Sequence, residues 1–160
     1  MTFPVPFVSA PASLESAWID YNGHLNVAYY HVLFDRAVDD LFATLGLGPS
    51  YASRRRLSTF TVEAHVCYLA EVPVDSIVTV SSQLLAADPK RMHLFQEMHS
   101  VGSGTLHATC ESLSLHVDLE RRRACDYPPE IRQNIEMLLT AHAGLPVPER
   151  TGRSIALKKA

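Results

Sequence analysis

A long amphipathic helix is the sequence feature that most limits the folds open to this chain. Between Val27 and Leu45, apolar residues recur at spacings of three and four, which places them on one side of a helix. This apolar stripe consists of Val27, Tyr30, Phe34, Ala37, Val38, Leu41 and Leu45. Asn26 is a suitable N-cap, and Gly46 is a suitable residue to end the helix. Because the stripe is wide, the helix is expected to lie against a large apolar surface.

Four segments of alternating apolar and polar residues follow the helix and predict long β-strands. They span residues 57–69, 76–87, 92–101 and 106–119. The links between them are short and carry turn-forming residues, so consecutive strands are predicted to pair antiparallel. With a first strand that ends near Trp18, the sequence predicts an α+β fold, in which a curved antiparallel five-stranded sheet wraps around the long central helix.

The rest of the chain predicts a second helix, one domain and a tail. Residues 51–56 are predicted to be a polar link with a short basic run. Pro128-Pro129 opens a C-terminal helix that runs from Glu130 to about His142. Residues 1–143 are expected to form a single domain, because the length of 160 residues is typical of one. Residues 144–160 contain prolines and scattered basic residues and are predicted to be a loosely ordered tail.

The composition argues against several classes of function. The net charge of −3 favours neither nucleic acid nor a membrane surface as a partner. No apolar run approaches the roughly 20 residues of a membrane span, and the N-terminus does not resemble a signal peptide. The three cysteines lack a CxxC spacing and the histidines lack ligand-like spacing, so neither disulfides nor a metal site is predicted. We therefore expect a cytoplasmic protein.

The segment before the long helix carries the candidate chemistry. A helix N-terminus has unpaired N–H groups and a partial positive charge, which suit an anion or a carbonyl oxygen that is becoming one. Asp20 lies just upstream, within reach of the carbon of such a carbonyl. From spacing alone a structural role is equally well supported, in which Asp20 and Asn26 cap the helix and Gly23 makes the turn.

The residues from Trp18 to Asn26, with Tyr29 and Tyr30 downstream, resemble the signature of the hotdog-fold acyl-CoA thioesterases of the hydroxybenzoyl-CoA thioesterase type. The resemblance covers the chain from about Ser9 to Asp118. Three further segments are similar to the thioesterases of carnitine degradation that hydrolyse betainyl-CoA. These are residues 61–71, 88–95 and 115–118.

The resemblance implies a hotdog fold and assigns roles to individual residues. It maps the catalytic acid onto Asp20, as a nucleophile or as a general base. It maps the oxyanion site onto the amides around Asn26 and Val27. Gly23 and His24, at the helix mouth, are further candidates for positioning the substrate, and a structural role for His24 is about equally well supported. The resemblance also implies a homodimer or homotetramer with the active site at the subunit interface. The substrate is an acyl-CoA, and no cofactor is implied because coenzyme A is part of that substrate. Many family members carry a second acid where this chain has Trp18.

Candidates for the acyl pocket and the CoA phosphates lie further along the chain. The predicted acyl pocket comprises Trp18, Tyr21, Tyr30, Phe60, Glu63, His65 and Tyr68. Glu63 and His65 are two residues apart and share a strand face, and Glu63 suits a quaternary ammonium group that also contacts aromatic rings. Alternatively, the aromatic residues are core and Glu63 is solvated. The basic runs Arg54-Arg55-Arg56 and Lys90-Arg91 are candidates for binding phosphates, although such runs are more often simply solvated.

Three functions are compatible with these features. The first is an acyl-CoA thioesterase for a short acyl group, most specifically betainyl-CoA, which would be converted to glycine betaine and CoA in carnitine catabolism. The second keeps the fold but acts on an aromatic or medium-chain acyl-CoA. The third is a non-catalytic acyl-CoA-binding hotdog module, which the presence of Asp20 and Gly23 disfavours.

Overall fold

The structure, a computed structural model, describes residues 3–157 as one antiparallel sheet and three α-helices. In chain order the elements are β1 (Phe7–Val8), β2 (Ala12–Ser13), α1 (Val27–Thr44), α2 (Pro49–Arg55), β3 (Leu57–Tyr68), β4 (Ile77–Ala87), β5 (Arg91–Ser100), β6 (Leu106–Asp118), β7 (Arg123–Ala124) and α3 (Pro129–His142). A short 3-10 helix, Ser16–Trp18, precedes α1. None of the helices in the described part of the chain is long and apolar enough to cross a membrane.

The predicted central helix is confirmed as α1, with the predicted cap. The side-chain oxygen of Asn26 accepts a hydrogen bond from the Ala28 N–H at 3.0 Å. The buried residues of α1 are Tyr30, Leu33, Phe34, Ala37, Leu41 and Phe42. They pack against the inner face of the sheet, as the apolar stripe requires. Val27 belongs to the predicted stripe but is 56% exposed, because it lies at the open mouth of the helix.

The sheet has the strand order β1-β4-β5-β6-β3, with β2 also paired to β4 and β7 to β6. The predicted pairing of consecutive strands is confirmed for β4–β5 and β5–β6. It is wrong for β3 and β4, because β3 forms one edge of the sheet and pairs with β6. The link between β3 and β4 is held by the helix mouth instead of forming a hairpin. Val72 in this link is fully buried, and its carbonyl accepts the Leu25 N–H at 3.1 Å.

Two segments before β3 differ from the prediction. The strand expected to end near Trp18 is replaced by β1 and β2, which end at Ser13, and by the 3-10 helix. The sheet therefore has four long strands and three strands of two residues within the described chain. Most of residues 51–56, predicted to be a polar link, belong to α2. Pro49 occupies the first turn of this helix, where proline is favoured, and Tyr51 packs into the core.

A β-bulge in β3 changes the face of the sheet on which Phe60 lies. Between Thr61 and Glu63 the pairing with β6 shifts by one residue, because Val62 is inserted. The alternation of faces is interrupted at this point. In a regularly alternating strand Phe60 would share a face with Ala64, which lies towards α1, but because of the bulge it shares the outer face of the sheet with Glu63.

Two buried histidines are satisfied in their neutral form. His116 is fully buried; its Nε2 accepts from the Tyr51 hydroxyl at 2.8 Å and its Nδ1 donates to the Cys125 carbonyl at 3.1 Å. His142 accepts the Leu84 N–H at 2.9 Å through its Nδ1. Burial lowers the pKa of both histidines. Neither imidazole is therefore charged in the folded protein near neutral pH.

Acidification is expected to destabilise the fold through these two histidines. An unfolded histidine binds a proton near pH 6.5, whereas the buried pair does so only at lower pH, so stability falls as the pH drops below about 6.5. The loss is at most about 1.4 kcal/mol per pH unit for each histidine. Urea unfolding at three pH values between 5 and 7.5 measures it. His116→Gln should reduce the change in the free energy of unfolding per pH unit. The control His99→Gln, at a partly exposed histidine, should leave it as in the wild type. An equal pH dependence in the two variants would contradict the role of His116.

The segment after α3 contains no helix or strand as far as residue 157. Two hydrogen bonds attach it to the sheet. The Gln83 side chain donates to the Pro146 carbonyl at 3.4 Å, and the Gly152 N–H donates to Glu111 at 2.7 Å. The loose order expected for residues 144–160 stays a prediction, and residues 158–160 lie outside the described chain.

Candidate active site

The segment between Trp18 and α1 folds back on itself as a tight loop. The Asp20 N–H donates to the His24 carbonyl at 3.1 Å, and the Gly23 N–H donates to the Asp20 carbonyl at 3.0 Å. Gly23 has a φ of +85°, a conformation that residues with a side chain rarely adopt. The Asn26 N–H donates to the Trp18 carbonyl at 2.9 Å. This closed loop holds Asp20 beside the start of α1.

The carboxylate of Asp20 is largely buried and held by its own loop. Its side chain is 13% exposed, and Oδ1 accepts the Asn22 N–H at 2.8 Å. His24 lies between two acids: its Nδ1 is 3.9 Å from Asp20 Oδ1 and its Nε2 is 3.6 Å from Glu71 Oε1. Asn26 caps the helix and Gly23 makes the turn, as the structural interpretation predicted. Part of the Asp20 carboxylate is still open to the adjacent cleft.

The first turn of α1 offers a free backbone donor. The Ala28 N–H is taken by the Asn26 side chain, and the Tyr29 N–H donates to the Asn26 carbonyl at 3.0 Å. The Val27 N–H has no acceptor among residues 3–157. Because helix N-termini carry a partial positive charge, this amide suits an oxygen that gains negative charge.

An open cleft of about 550 Å³ joins Asp20 to the start of α1. It is lined by Asp20, Tyr21, His24, Leu25, Asn26, Val27, Tyr30, Tyr68, Leu69, Ala70 and Glu71. Seven residues of this lining belong to the predicted site, and Gly23 makes the turn of the adjacent loop. The predicted site did not include Glu71: the residue ends the segment 61–71 of the family resemblance, but it was given no role there and was interpreted as the start of a turn. Its position three residues after Tyr68, which ends β3 and belongs to the predicted site, is the sequence feature that could have indicated it.

Two tyrosines form one corner of the cleft. The rings of Tyr30 and Tyr68 are 5.1 Å apart with nearly perpendicular planes. Burial is the main cause that raises the pKa of each phenol. Both hydroxyls therefore stay protonated at neutral pH, and the corner carries no charge of its own.

Four residues predicted in the acyl pocket lie outside this cleft. Trp18 is 5% exposed and stacks on Tyr29 with ring centroids 5.3 Å apart. Phe60 is half exposed on the edge strand β3. Glu63 and His65 share a face as predicted, but that face is the outer one, where they line a separate cleft of about 390 Å³. The single chain therefore does not bring these side chains to Asp20.

The basic residues predicted for CoA phosphates also lie outside the cleft, and most have acidic partners. The ion pairs are Arg55–Glu130, Arg56–Glu120, Lys90–Asp126 and Arg91–Asp88. Arg54 donates to Ser50. In one chain the run of three arginines lies at the start of β3, whereas the cleft lies at its end. Its role in phosphate binding stays a prediction.

The arrangement at the cleft suits attack on a polarised carbonyl. Asp20 offers a carboxylate that can act as a nucleophile or as a general base. The Val27 amide offers a donor for the oxygen of the carbonyl. Within the described residues no group of three or more histidine, cysteine or acidic side chains is placed to hold a metal ion. The Asp20 carboxylate and the Val27 amide together support acyl transfer to water.

Known proteins with similar sequences are thioesterases. Residues 14–135 match the thioesterase-like superfamily. The chain is 41% identical to the betainyl-CoA thioesterase of Pseudomonas aeruginosa over 140 residues, which cover 88% of each protein. It is 32% identical over 154 residues to the L-carnitine dehydrogenase/betainyl-CoA thioesterase of Rhizobium meliloti. That match covers 96% of this chain and 31% of the longer protein, so the chain spans about a third of it.

Two solved structures share the fold over almost their whole length. A hypothetical protein of Staphylococcus aureus, determined in complex with CoA, superposes with a TM-score of 0.90 at 26% identity, covering 99% of this chain and 98% of that one. A putative thioesterase of Pseudomonas putida KT2440 superposes with a TM-score of 0.83 at 32% identity, covering 96% and 98%. The predicted family and fold are thereby confirmed: the chain belongs to the thioesterase-like superfamily and is a thioesterase with the hotdog fold.

Proposed function

We propose that this chain hydrolyses betainyl-CoA to glycine betaine and CoA. The observation that carries the proposal is the 41% identity to a betainyl-CoA thioesterase, with 88% of both proteins covered. The cleft is consistent with it, since its volume of about 550 Å³ beside the helix mouth is ample for a betainyl group. An aromatic or medium-chain acyl-CoA is the alternative substrate, and a non-catalytic acyl-CoA-binding module is the alternative role.

Asp20 is the proposed catalytic residue. As a general base it takes a proton from a water molecule, whose oxygen then attacks the thioester carbon. As a nucleophile it attacks the carbon itself, and water hydrolyses the resulting acyl-aspartyl anhydride. In both routes the C–S bond breaks, and the CoA sulfur leaves as a thiolate that takes up a proton. The Val27 N–H stabilises the oxyanion in either route. No cofactor is required, because coenzyme A enters as part of the substrate.

A dimer formed through the edge strand β3 is proposed to complete the site. One side of β3 pairs with β6, and the other side is free among the described residues. This free edge displays Phe60 and Val62, both about half exposed. In an antiparallel pair of β3 strands, the start of one lies beside the end of the other. The partner's Arg54, Arg55 and Arg56 would then approach the cleft, where they can bind phosphates of CoA.

A double variant tests this interface. Phe60→Asp with Val62→Asp puts two charges on the edge, which is expected to separate the subunits and to lower kcat/KM by more than about tenfold. Size-exclusion chromatography with light scattering reports the mass, and thiol release reports the activity. Val101→Asp, at another half-exposed apolar residue, is the control and should change neither. A double variant that keeps both its mass and its activity would exclude an interface through β3.

Thiol release from a panel of substrates tests the function. The purified protein is offered betainyl-CoA, acetyl-CoA, benzoyl-CoA and a medium-chain acyl-CoA, and CoA release is followed with a thiol reagent. We expect the highest kcat/KM with betainyl-CoA. Preference for benzoyl-CoA or the medium-chain substrate would support the alternative thioesterase. Binding of all four without thiol release would support the non-catalytic module.

A further inference from the structure

The dimensions of a betainyl group restrict where its positive charge can lie. Two single bonds of about 1.5 Å each separate the quaternary nitrogen from the thioester carbon, which places the two atoms about 2.5 Å apart. A group that contacts the trimethylammonium must therefore lie in the same cleft as the reacting carbon. In this chain that is the cleft between Asp20 and the start of α1.

Glu63, the acid predicted to balance the positive charge, does not lie in this cleft. Glu63 lies on the outer face of the sheet, whereas α1 and the cleft lie on the inner side. Pairing of two chains through β3 would extend the sheet without exchanging its faces. The partner's Glu63 would therefore stay on the outer side as well. Another acid must serve this purpose if the chain recognises a cation.

Glu71 is the acid that the cleft offers besides Asp20. Its side chain is 76% exposed and has no lysine or arginine within ion-pair distance among the described residues. Its backbone is held in place, since the next residue, Val72, is buried and accepts the Leu25 N–H. Neither lysine nor arginine belongs to the described lining of this cleft. No lysine or arginine therefore offsets the charge of Glu71, and His24, whose Nε2 is 3.6 Å from Glu71 Oε1, offsets it only when protonated.

The corner formed by Tyr30 and Tyr68 supplies the aromatic ring face that a quaternary ammonium group binds. A quaternary ammonium group has no N–H, so it is bound by ring faces and by the field of a nearby carboxylate rather than by hydrogen bonds. Tyr68 is 45% exposed in the cleft, and the buried Tyr30 fixes its ring in a perpendicular arrangement. Glu71 lies close enough to Tyr30 for its charge to contribute to the raised pKa of that phenol. The corner and the carboxylate thus border the same volume.

We propose that Tyr68 and Glu71, with Tyr30 orienting Tyr68, form the site that recognises the cationic acyl group. The proposal rests on the proposed function and assigns its substrate selectivity to named residues. It replaces Glu63 by Glu71 as the counter-charge.

A neutral substrate of the same shape separates charge recognition from catalysis. In 3,3-dimethylbutanoyl-CoA a carbon replaces the quaternary nitrogen, so the acyl group keeps its size and loses its charge. The ratio of kcat/KM for betainyl-CoA to that for the neutral substrate measures selectivity for charge. It is determined for the wild type and for Glu71→Gln, Glu71→Lys, Tyr68→Leu and Glu63→Gln. Thermal unfolding of each variant checks that it is folded.

We expect Glu71→Gln to lower this ratio about three- to fivefold, since an exposed carboxylate contributes on the order of 0.6 to 1 kcal/mol to a nearby cation. Glu71→Lys should lower it further, Tyr68→Leu should lower it, and Glu63→Gln should leave it unchanged. A ratio that Glu71→Gln does not change, or that Glu63→Gln lowers instead, overturns the proposal. A wild type that does not prefer betainyl-CoA over the neutral substrate overturns the proposed function itself, which is a separate outcome.

Discussion

Replacement of Asp20 by asparagine is expected to reduce kcat/KM for the preferred acyl-CoA by about 10³-fold or more, a loss of at least about 4 kcal/mol of transition-state stabilisation. An amide has nearly the shape of the carboxylate, so the loop of Asp20 should keep its fold. The asparagine amide is neither a useful base nor a useful nucleophile. Steady-state thiol release gives kcat/KM, and the effect is expected mainly in kcat, because substrate binding relies on other residues.

Asp75→Asn is the matched control, since this acid is exposed in the link after β3 and does not line the cleft. It should change kcat/KM by less than about twofold, as surface substitutions usually do. A slow Asp20→Asn variant that regains activity during storage would indicate deamidation back to aspartate, and mass spectrometry identifies it. An Asp20→Asn variant that stays fully active without deamidation would rule out the catalytic role of this carboxylate.

Replacement of Leu41 by alanine is expected to lower the free energy of unfolding by about 3 kcal/mol, because the fully buried side chain leaves a cavity that its neighbours fill only in part. Leu41 lies in the cluster in which α1 meets α3 and the sheet, with Leu84, Leu94 and Ile135 among its members. Urea unfolding followed by circular dichroism measures the change in stability.

Val74→Ala serves as the control for Leu41→Ala, because it also shortens an apolar side chain but at a residue that is 45% exposed. Its effect should stay below about 0.5 kcal/mol. Comparable losses in the two variants would mean that the helix–sheet contact at Leu41 is not a main contributor to stability. At the temperature where Leu41→Ala remains folded, its kcat should be near that of the wild type, since Leu41 is remote from the cleft.

The central helix and the long strands could be predicted because the sequence patterns that specify them involve only neighbouring residues. The three- and four-residue spacing of α1, its Asn26 cap and the alternation in β4, β5 and β6 each depend on neighbours within a few residues. The candidate site at Asp20 was predictable for the same reason, together with a family resemblance. An acid, a glycine turn and a helix start lie within a few residues of each other.

The predictions were wrong where the structure of a segment depends on contacts with residues that are distant in the sequence. The position of β3 beside β6 follows from the attachment of its outgoing link to the helix mouth, which no pattern within β3 reveals. The face of Phe60 depends on a bulge at Val62, and one inserted residue exchanges the two faces of a strand. Residues 51–56 contain Tyr51, whose burial against the distant His116 favours a helix over an exposed link.

The sequence by itself determined the hotdog family, the order of the main elements and the acid at the mouth of the central helix. The order of the elements follows from short-range periodicity and capping, whereas the family follows from the resemblance of a contiguous motif to known thioesterases. Only the tertiary structure decided which other side chains share the cleft with Asp20. Glu71 and Tyr68 reach it, whereas Glu63 and Trp18 do not. The physical reason is that the pairing of β3 with β6 turns Tyr68 inwards and Glu63 outwards, and the hydrogen bond between Leu25 and Val72 holds the link that carries Glu71 at the helix mouth. Both contacts join distant parts of the chain.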